Sequence, residues 1–248
     1  MFPYRDDNPT LRTPVVTIAI IALNTAAWVL VQGMGMDPDL TRSVCELGLI
    51  PGEFLRTIPA GTAVPLGPTS RCVLGHGPVW VTPLTSMFLH GGWLHLIGNM
   101  WFLWLFGNNV EDSMGRARYA LFYLLAGLGA AATQTLLSPT SPVPMVGASG
   151  AISGVMGAYV ILYPTVQVHM IVVLVVFITR IVVPAYLMLG YWFLLQLLGG
   201  ASSFGSTGGV AFWAHVGGFL AGALLVGLFR NPELVAEHRR LAQVYRRA

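Results

Sequence analysis

Met145-Val-Gly-Ala-Ser149-Gly-Ala-Ile-Ser-Gly-Val-Met-Gly-Ala-Tyr159 sets a serine between small residues at the head of an apolar run. The run carries no charge, continues to Tyr163 and stops at Pro164. Pro142 and Pro144 precede it, and neither fits a helix interior. The stretch therefore predicts a helix over about 148–163. From Ser149 to Tyr163 such a helix rises roughly 22 Å, against about 30 Å for a bilayer core. With Tyr163 at one interface, Ser149 falls several ångströms short of the other. Two readings follow. The Gly/Ala/Ser face could simply pack against other transmembrane helices. Alternatively, a hydroxyl is being held below the membrane surface at a helix N-terminus, where it can do chemistry.

Working outward, the whole chain is membrane-like. Of its 248 residues, 55% are hydrophobic and only 9% charged, where soluble domains carry roughly 25% charged residues. Mean hydropathy is +0.69. All 13 basic residues are arginine, and the net charge of +3 is too small to suggest a nucleic-acid partner. Cys45 and Cys72 are too few for a disulfide framework and lack metal-ligand spacing.

The pattern predicts an all-α membrane protein of six transmembrane helices. A polar tail covers 1–13, and span 1 follows over 14–32, read as retained and not as a cleaved signal. A Pro/Gly-rich loop covers 33–83. Spans 2, 3 and 4 cover 85–107, 119–137 and 148–163. Residues 166–183, apolar and β-branched but broken by His169 and Arg180, read as interfacial or partly re-entrant. Span 5 covers 184–198, a Gly/Ser linker 199–209, and span 6 211–229, ahead of a basic tail at 230–248. The linker is expected to act as a mobile lid.

Six spans put both termini on one side. That side collects Arg5, Arg12, Arg116, Arg118, Arg180 and the five arginines from Arg230 onward, while the other holds Arg42, Arg56 and Arg71. By the positive-inside rule both termini are cytoplasmic and the 33–83 loop is outside. Ser149 then lies near the outer end of span 4. Cys45 and Cys72 share the outer, oxidising side; a cystine and two free thiols both remain open.

Intramembrane polar groups are functional candidates. His215 lies about 15 residues before Arg230, again roughly 22 Å from the cytoplasmic interface. His95 and Asn99, one turn apart on one face of span 2, bracket the same level when counted back from Glu111. Taken singly, each could merely tie one helix to another; four polar groups from three helices at one depth favour a site. Gly218 and Gly222 share the face of His215, and Gly150 and Gly154 lie on span 4, so a small-residue seam can bring the two helices together.

A serine hydroxyl needs a base to become a nucleophile, and histidine is the usual partner. No Asp or Glu falls within the six spans, so the arrangement is a dyad of Ser149 and His215. A developing oxyanion needs donors. His95, Asn99 and the backbone N–H groups of Ala148 and Ser149 are placed to supply them, aided by the positive end of the helix.

At these residues the sequence resembles the rhomboid intramembrane serine proteases. The shared motifs are Gly147-Ala-Ser149-Gly150, Ala214-His215-Val-Gly-Gly218-Phe-Leu-Ala-Gly222, His90-Gly-Gly-Trp-Leu-His95-Leu-Ile-Gly-Asn99 and Phe106 to Glu111. The resemblance covers about 14–229 and implies the six-span rhomboid-like bundle. It implies Ser149 as nucleophile, His215 as general base, and His95 and Asn99 as oxyanion donors. It further implies cleavage of other proteins' transmembrane segments near the outer face, from a bacterial plasma membrane, without cofactor or metal. Two departures stand out. Trp80 is followed by Val81 where many relatives have Trp-Arg. Ser153 stands where some have a tyrosine stacked on the histidine, so another group must brace His215. The alternative is a catalytically inactive rhomboid-like protein that binds membrane clients, although such proteins usually lose the serine or the histidine. A transporter or channel is disfavoured because the spans lack carboxylates.

Overall fold

The computed structural model describes residues 2–67, 70–75, 77–174, 177–202 and 210–245, and the chain is mostly helical. In chain order the elements are β1 (Phe2–Asp6), α1 (Val15–Leu30), α2 (Asp39–Leu47), α3 (Pro51–Phe54), β2 (Ala63–Pro65), β3 (Arg71–Val73) and α4 (Thr82–Thr85). Then come α5 (Trp93–Met114), α6 (Arg116–Leu137), α7 (Ser149–Leu162), β4 (Gln167–Leu174), β5 (Phe177–Pro184), α8 (Ala185–Ser202), α9 (Phe212–Phe229) and α10 (Pro232–Tyr245). Among the described residues α6, α8 and α9 are long and apolar enough to cross a membrane, while α1 and α7 are shorter apolar helices.

The centre of the molecule is α7. Every residue from Gly150 to Tyr159 is buried, as a helix that is apolar all round must be. It packs against α5, α6 and α9. Phe106, Tyr119, Phe122, Tyr123 and Tyr159 fill the core around it.

The expectation of an all-α chain is corrected by two antiparallel sheets, one of order β1-β4-β5 and one pairing β2 with β3. Residues 166–183 are largely a hairpin, with Val168 opposite Val183 and Val172 opposite Thr179. Their β-branched side chains suit a pleated surface better than a helix. One face of β4 buries Val168, Met170 and Val172. The 1–13 stretch is correspondingly no free tail. Phe2 of β1 pairs with Ile171, and Asp6 with Val168. Trp101 of α5 donates its indole N–H to the Pro3 carbonyl over 2.8 Å, and the Tyr159 hydroxyl donates to the Asp6 carboxylate.

Two boundaries of span 2 also move. Residues 82–88 form separate short turns, and the long helix starts only at Trp93, after Gly91 and Gly92. It then runs past Gly107 to Met114, taking in Glu111 and Asp112. These acids are consumed internally. The first N–H groups of a helix have no intrahelical acceptor. The Glu111 carboxylate accepts the Val16 and Thr17 amides of α1 at 3.0 and 2.8 Å. Asp112 accepts the amides of Leu11 and Arg12.

The 33–83 loop is ordered by α2, α3 and the β2–β3 hairpin, and Cys45 is joined to Cys72 by a disulfide with a Cα–Cα distance of 5.4 Å. The 230–248 stretch is mainly the helix α10. The buried His238 of that helix meets the Pro9 carbonyl at 3.0 Å. In the expected 199–209 linker, Gly199–Ser202 belong to α8, and 203–209 lie outside the described residues.

Candidate active site

Helix α9 lies against α7 backbone to backbone. A Cβ on Gly218 would come within 2.0 Å of the Gly150 carbonyl oxygen, and one on Gly222 within 1.9 Å of the Gly154 oxygen. On another flank, a Cβ on Gly154 or Gly150 would come within 2.5 or 2.6 Å of the methyl group of Ala126 or Ala130 of α6. Small side chains on three helices thus let α7 sit deep among its neighbours with its N-terminal residue facing α9.

There, Ser149 Oγ lies 2.8 Å from His215 Nε2. The other ring nitrogen, Nδ1, lies 2.8 Å from Gln196 Oε1 of α8. Trp192, one turn before Gln196, places its ring 5.9 Å from the imidazole. These two residues occupy the bracing role for which the sequence offered no candidate. Ser153 turns away, its hydroxyl donating to the Ser149 carbonyl at 2.6 Å.

His95 enters from α5. Its Nδ1 accepts the Gly91 N–H at 3.3 Å, so in the neutral ring the proton belongs on Nε2. That Nε2 faces Gly147. A Cβ on Gly147 would lie 2.8 Å from it, and the backbone there has φ +131°, a region that favours glycine. Gly147 is therefore required both by its own conformation and by His95. Ala148 then caps α7 and Ser149 opens it, where backbone N–H groups lack helical acceptors.

Behind His95 stands His90, its ring 5.2 Å away and edge-on. The fully buried Gln32, just past α1, holds His90 at both main-chain groups. Its Nε2 donates to the His90 carbonyl and its Oε1 accepts the His90 N–H, each at 2.8 Å.

A cavity of about 810 Å³ joins these pieces, lined among others by His95, Gln134, Gly147, Ser149, Ala214 and His215. The structure brings Ser149, His215 and His95 to this one space. Asn99 is not on its wall; it is buried, and its Nδ2 has no hydrogen-bond partner among the described residues. Sequence reading missed Gln196 and Gln134. The second accepts the Ala214 amide at 3.1 Å and so caps the head of α9. Both are lone amides in apolar helices, a signal visible in the sequence.

Residues 78–232, more than half of the chain, match the family described as the Rhomboid domain. The chain is similar to the Rhomboid protease GluP of Bacillus subtilis, 33% identical over 164 residues, which are 66% of this chain and 29% of that protein. It is 42% identical over 77 residues to Rhomboid-like protein 11, chloroplastic, of Arabidopsis thaliana, covering 31% of this chain and 27% of that one. RHOMBOID-like protein 5 of the same plant is 36% identical over 93 residues, 38% of this chain and 30% of the relative. The matched stretch spans less than a third of the length of each of these three relatives.

Proposed function

This chain belongs to the rhomboid family, and from that premise we propose that it is an intramembrane serine endopeptidase acting through a Ser149–His215 dyad. In this reading α1, α5, α6, α7, α8 and α9 are six membrane spans. Residues 1–13 and 230–248 are cytoplasmic, 14–229 form the protease domain, and 33–83 lie outside. The site then opens toward the outer face of a cell membrane. Its substrates are transmembrane segments of other proteins, cut near their outer ends.

The observation that carries the proposal is the 2.8 Å contact between Ser149 Oγ and His215 Nε2, a distance suited to proton transfer from nucleophile to base. In the reaction Ser149 Oγ attacks the scissile carbonyl carbon while His215 Nε2 takes the hydroxyl proton. The carbonyl oxygen becomes an oxyanion. His95 Nε2–H and the N–H groups of Ala148 and Ser149 are the donors assigned to it, with Asn99 as a further donor. Imidazolium then gives its proton to the departing amine nitrogen, leaving an acyl ester on Ser149. Water, deprotonated by His215, hydrolyses that ester and restores the serine. No cofactor is needed for any step.

A helical substrate hides its scissile carbonyl in its own hydrogen bonds. Segments with Gly, Pro or Ser near the outer end, which unwind at lower cost, are therefore the expected substrates.

The test is purified protein in liposomes with a transmembrane peptide bearing small residues near its outer end. Wild type should cleave it and react with a fluorophosphonate, whereas Ser149→Ala and His215→Ala should do neither and still fold. A folded wild type that neither cleaves nor labels would favour an inactive client-binding protein.

A further inference from the structure

We infer that Gln196 is a positioning residue that fixes the tautomer of His215, making the dyad a hydrogen-bonded relay of three side chains. The inference rests on the protease reading for its kinetic consequence, but its structural content is independent of it.

The chain of bonds allows one proton arrangement. Gln196 Nε2 lies 3.3 Å from the Trp192 carbonyl, four residues back on α8. A carbonyl only accepts, so the amide nitrogen must be the atom on that side. This directs Oε1 toward His215, and the pair stands 2.8 Å apart. An amide oxygen also only accepts, so His215 Nδ1 must carry a proton. A neutral imidazole has one N–H, which leaves the lone pair on Nε2. That is the atom 2.8 Å from Ser149 Oγ, and it is now obliged to accept. One main-chain carbonyl on α8 thereby sets the direction of every bond up to the nucleophile.

Burial makes the arrangement consequential. Gln196 is 8% exposed, flanked on its helix by Leu194, Leu195, Leu197 and Leu198. An unpaired amide there would be costly, which argues against an accidental contact. Trp192 adds a second restraint, its ring tilted 37° against the imidazole. An amide cannot offer the negative charge that a carboxylate would lend to an imidazolium. Its work is confined to orientation and tautomer, so its removal should cost far less than removal of the dyad.

The experiment uses the full chain in nanodiscs, with the transmembrane peptide and a fluorophosphonate as probes. Gln196→Leu should lower kcat and the labelling rate roughly 3- to 10-fold, the worth of one neutral hydrogen bond, with KM within about twofold. Gln196→Glu, which keeps an acceptor oxygen at the same reach, should recover most of that loss. Nitrogen-15 spectra of histidine-labelled protein should show His215 as the Nδ1–H form in wild type and as a mixture in Gln196→Leu. Unchanged kcat in folded Gln196→Leu would overturn the inference. So would equal loss in the Leu and Glu variants with the Nδ1–H form intact in both. The nitrogen signal needs no turnover, so a wild type that cleaves nothing would sink the protease reading while the tautomer assignment still stood or fell on its own.

Discussion

Gly218 of α9 presses against the main chain of Gly150 of α7 so closely that a single methyl group would sit 2.0 Å from the carbonyl oxygen. Gly150 immediately follows Ser149, and Gly218 lies one turn beyond His215. The closeness of the helices and the reach of the hydroxyl are thus one geometric fact.

Gly218→Ala should push α9 off α7, since backbone cannot yield as a flexible side chain would. Overpacking of this kind costs about 1–3 kcal/mol. Peptide cleavage should fall more steeply than the melting temperature, because the proton-transfer distance lengthens with the seam. Retained turnover with a normal melting temperature would show that the seam tolerates the methyl.

Asn99→Ala should reduce kcat by about 10²–10³, the usual loss for one oxyanion donor, with little change in KM. Its Nδ2 has no partner among the described residues, so the melting temperature should barely move. Parallel measurement of kcat and melting temperature decides. Full turnover with lowered stability would assign Asn99 a purely structural role.

Gln32→Leu should leave the N–H and C=O of the buried His90 without partners. Each such group costs about 1–3 kcal/mol, so the melting temperature should drop by several degrees. Gln32→Glu keeps the acceptor half of the latch and should fall between the two. If Gln32→Leu melts like wild type, the bidentate contact contributes nothing.

Burial pushes the Asp6 carboxyl up to about 6 from its usual 3.8, against the pull of the Tyr159 hydroxyl. The folded protein therefore holds this proton more firmly than the unfolded chain, and the group's contribution to stability is lost as pH rises from 3.8 toward about 6. Asp6→Asn stays neutral throughout. It should melt above wild type at pH 8, with the gap closing toward pH 4. A gap that does not vary with pH would mean that ionisation of Asp6 is not what separates them.

Much of the site could be read from depth alone. Counting along helices from Tyr163, Arg230 and Glu111 set Ser149, His215 and His95 at one level, and all three line one cavity. Asn99, placed by the same count, lies off that wall. Gln196, a lone amide between leucine pairs in span 5, is as exceptional in an apolar helix as Asn99 and was legible on the same ground. The strands at 166–183 were hidden because both faces of the run are largely apolar. Without alternation, helix and strand share one hydrophobic signature, and only the density of Val and Ile separated them. Glu111 looked like the end of a span because its partners, the amides of Val16 and Thr17, lie some 95 residues away. No local pattern announces such a bond.

The strand at Phe2–Asp6 carries a consequence for the order in which the molecule is made. Its neighbour β4 is synthesised only after α7. Pro9 and Arg12 are fixed by His238 and Glu237, separated from them by 229 and 225 residues. During translation Pro3 and Leu11 can already meet Trp101 and Asp112 of α5, but the partners on α10 leave the ribosome only when nearly everything else has been made. The strand can dock, and the Asp6–Tyr159 contact at the far end of the Ser149 helix can close, once β4 is made, whereas the contacts of Pro9 and Arg12 with α10 close only after α10 has been made. A truncated product lacking α8 to α10 would keep Ser149 but acquire neither His215 nor the full clamp on its own beginning, so under the proposed dyad it would be chemically silent.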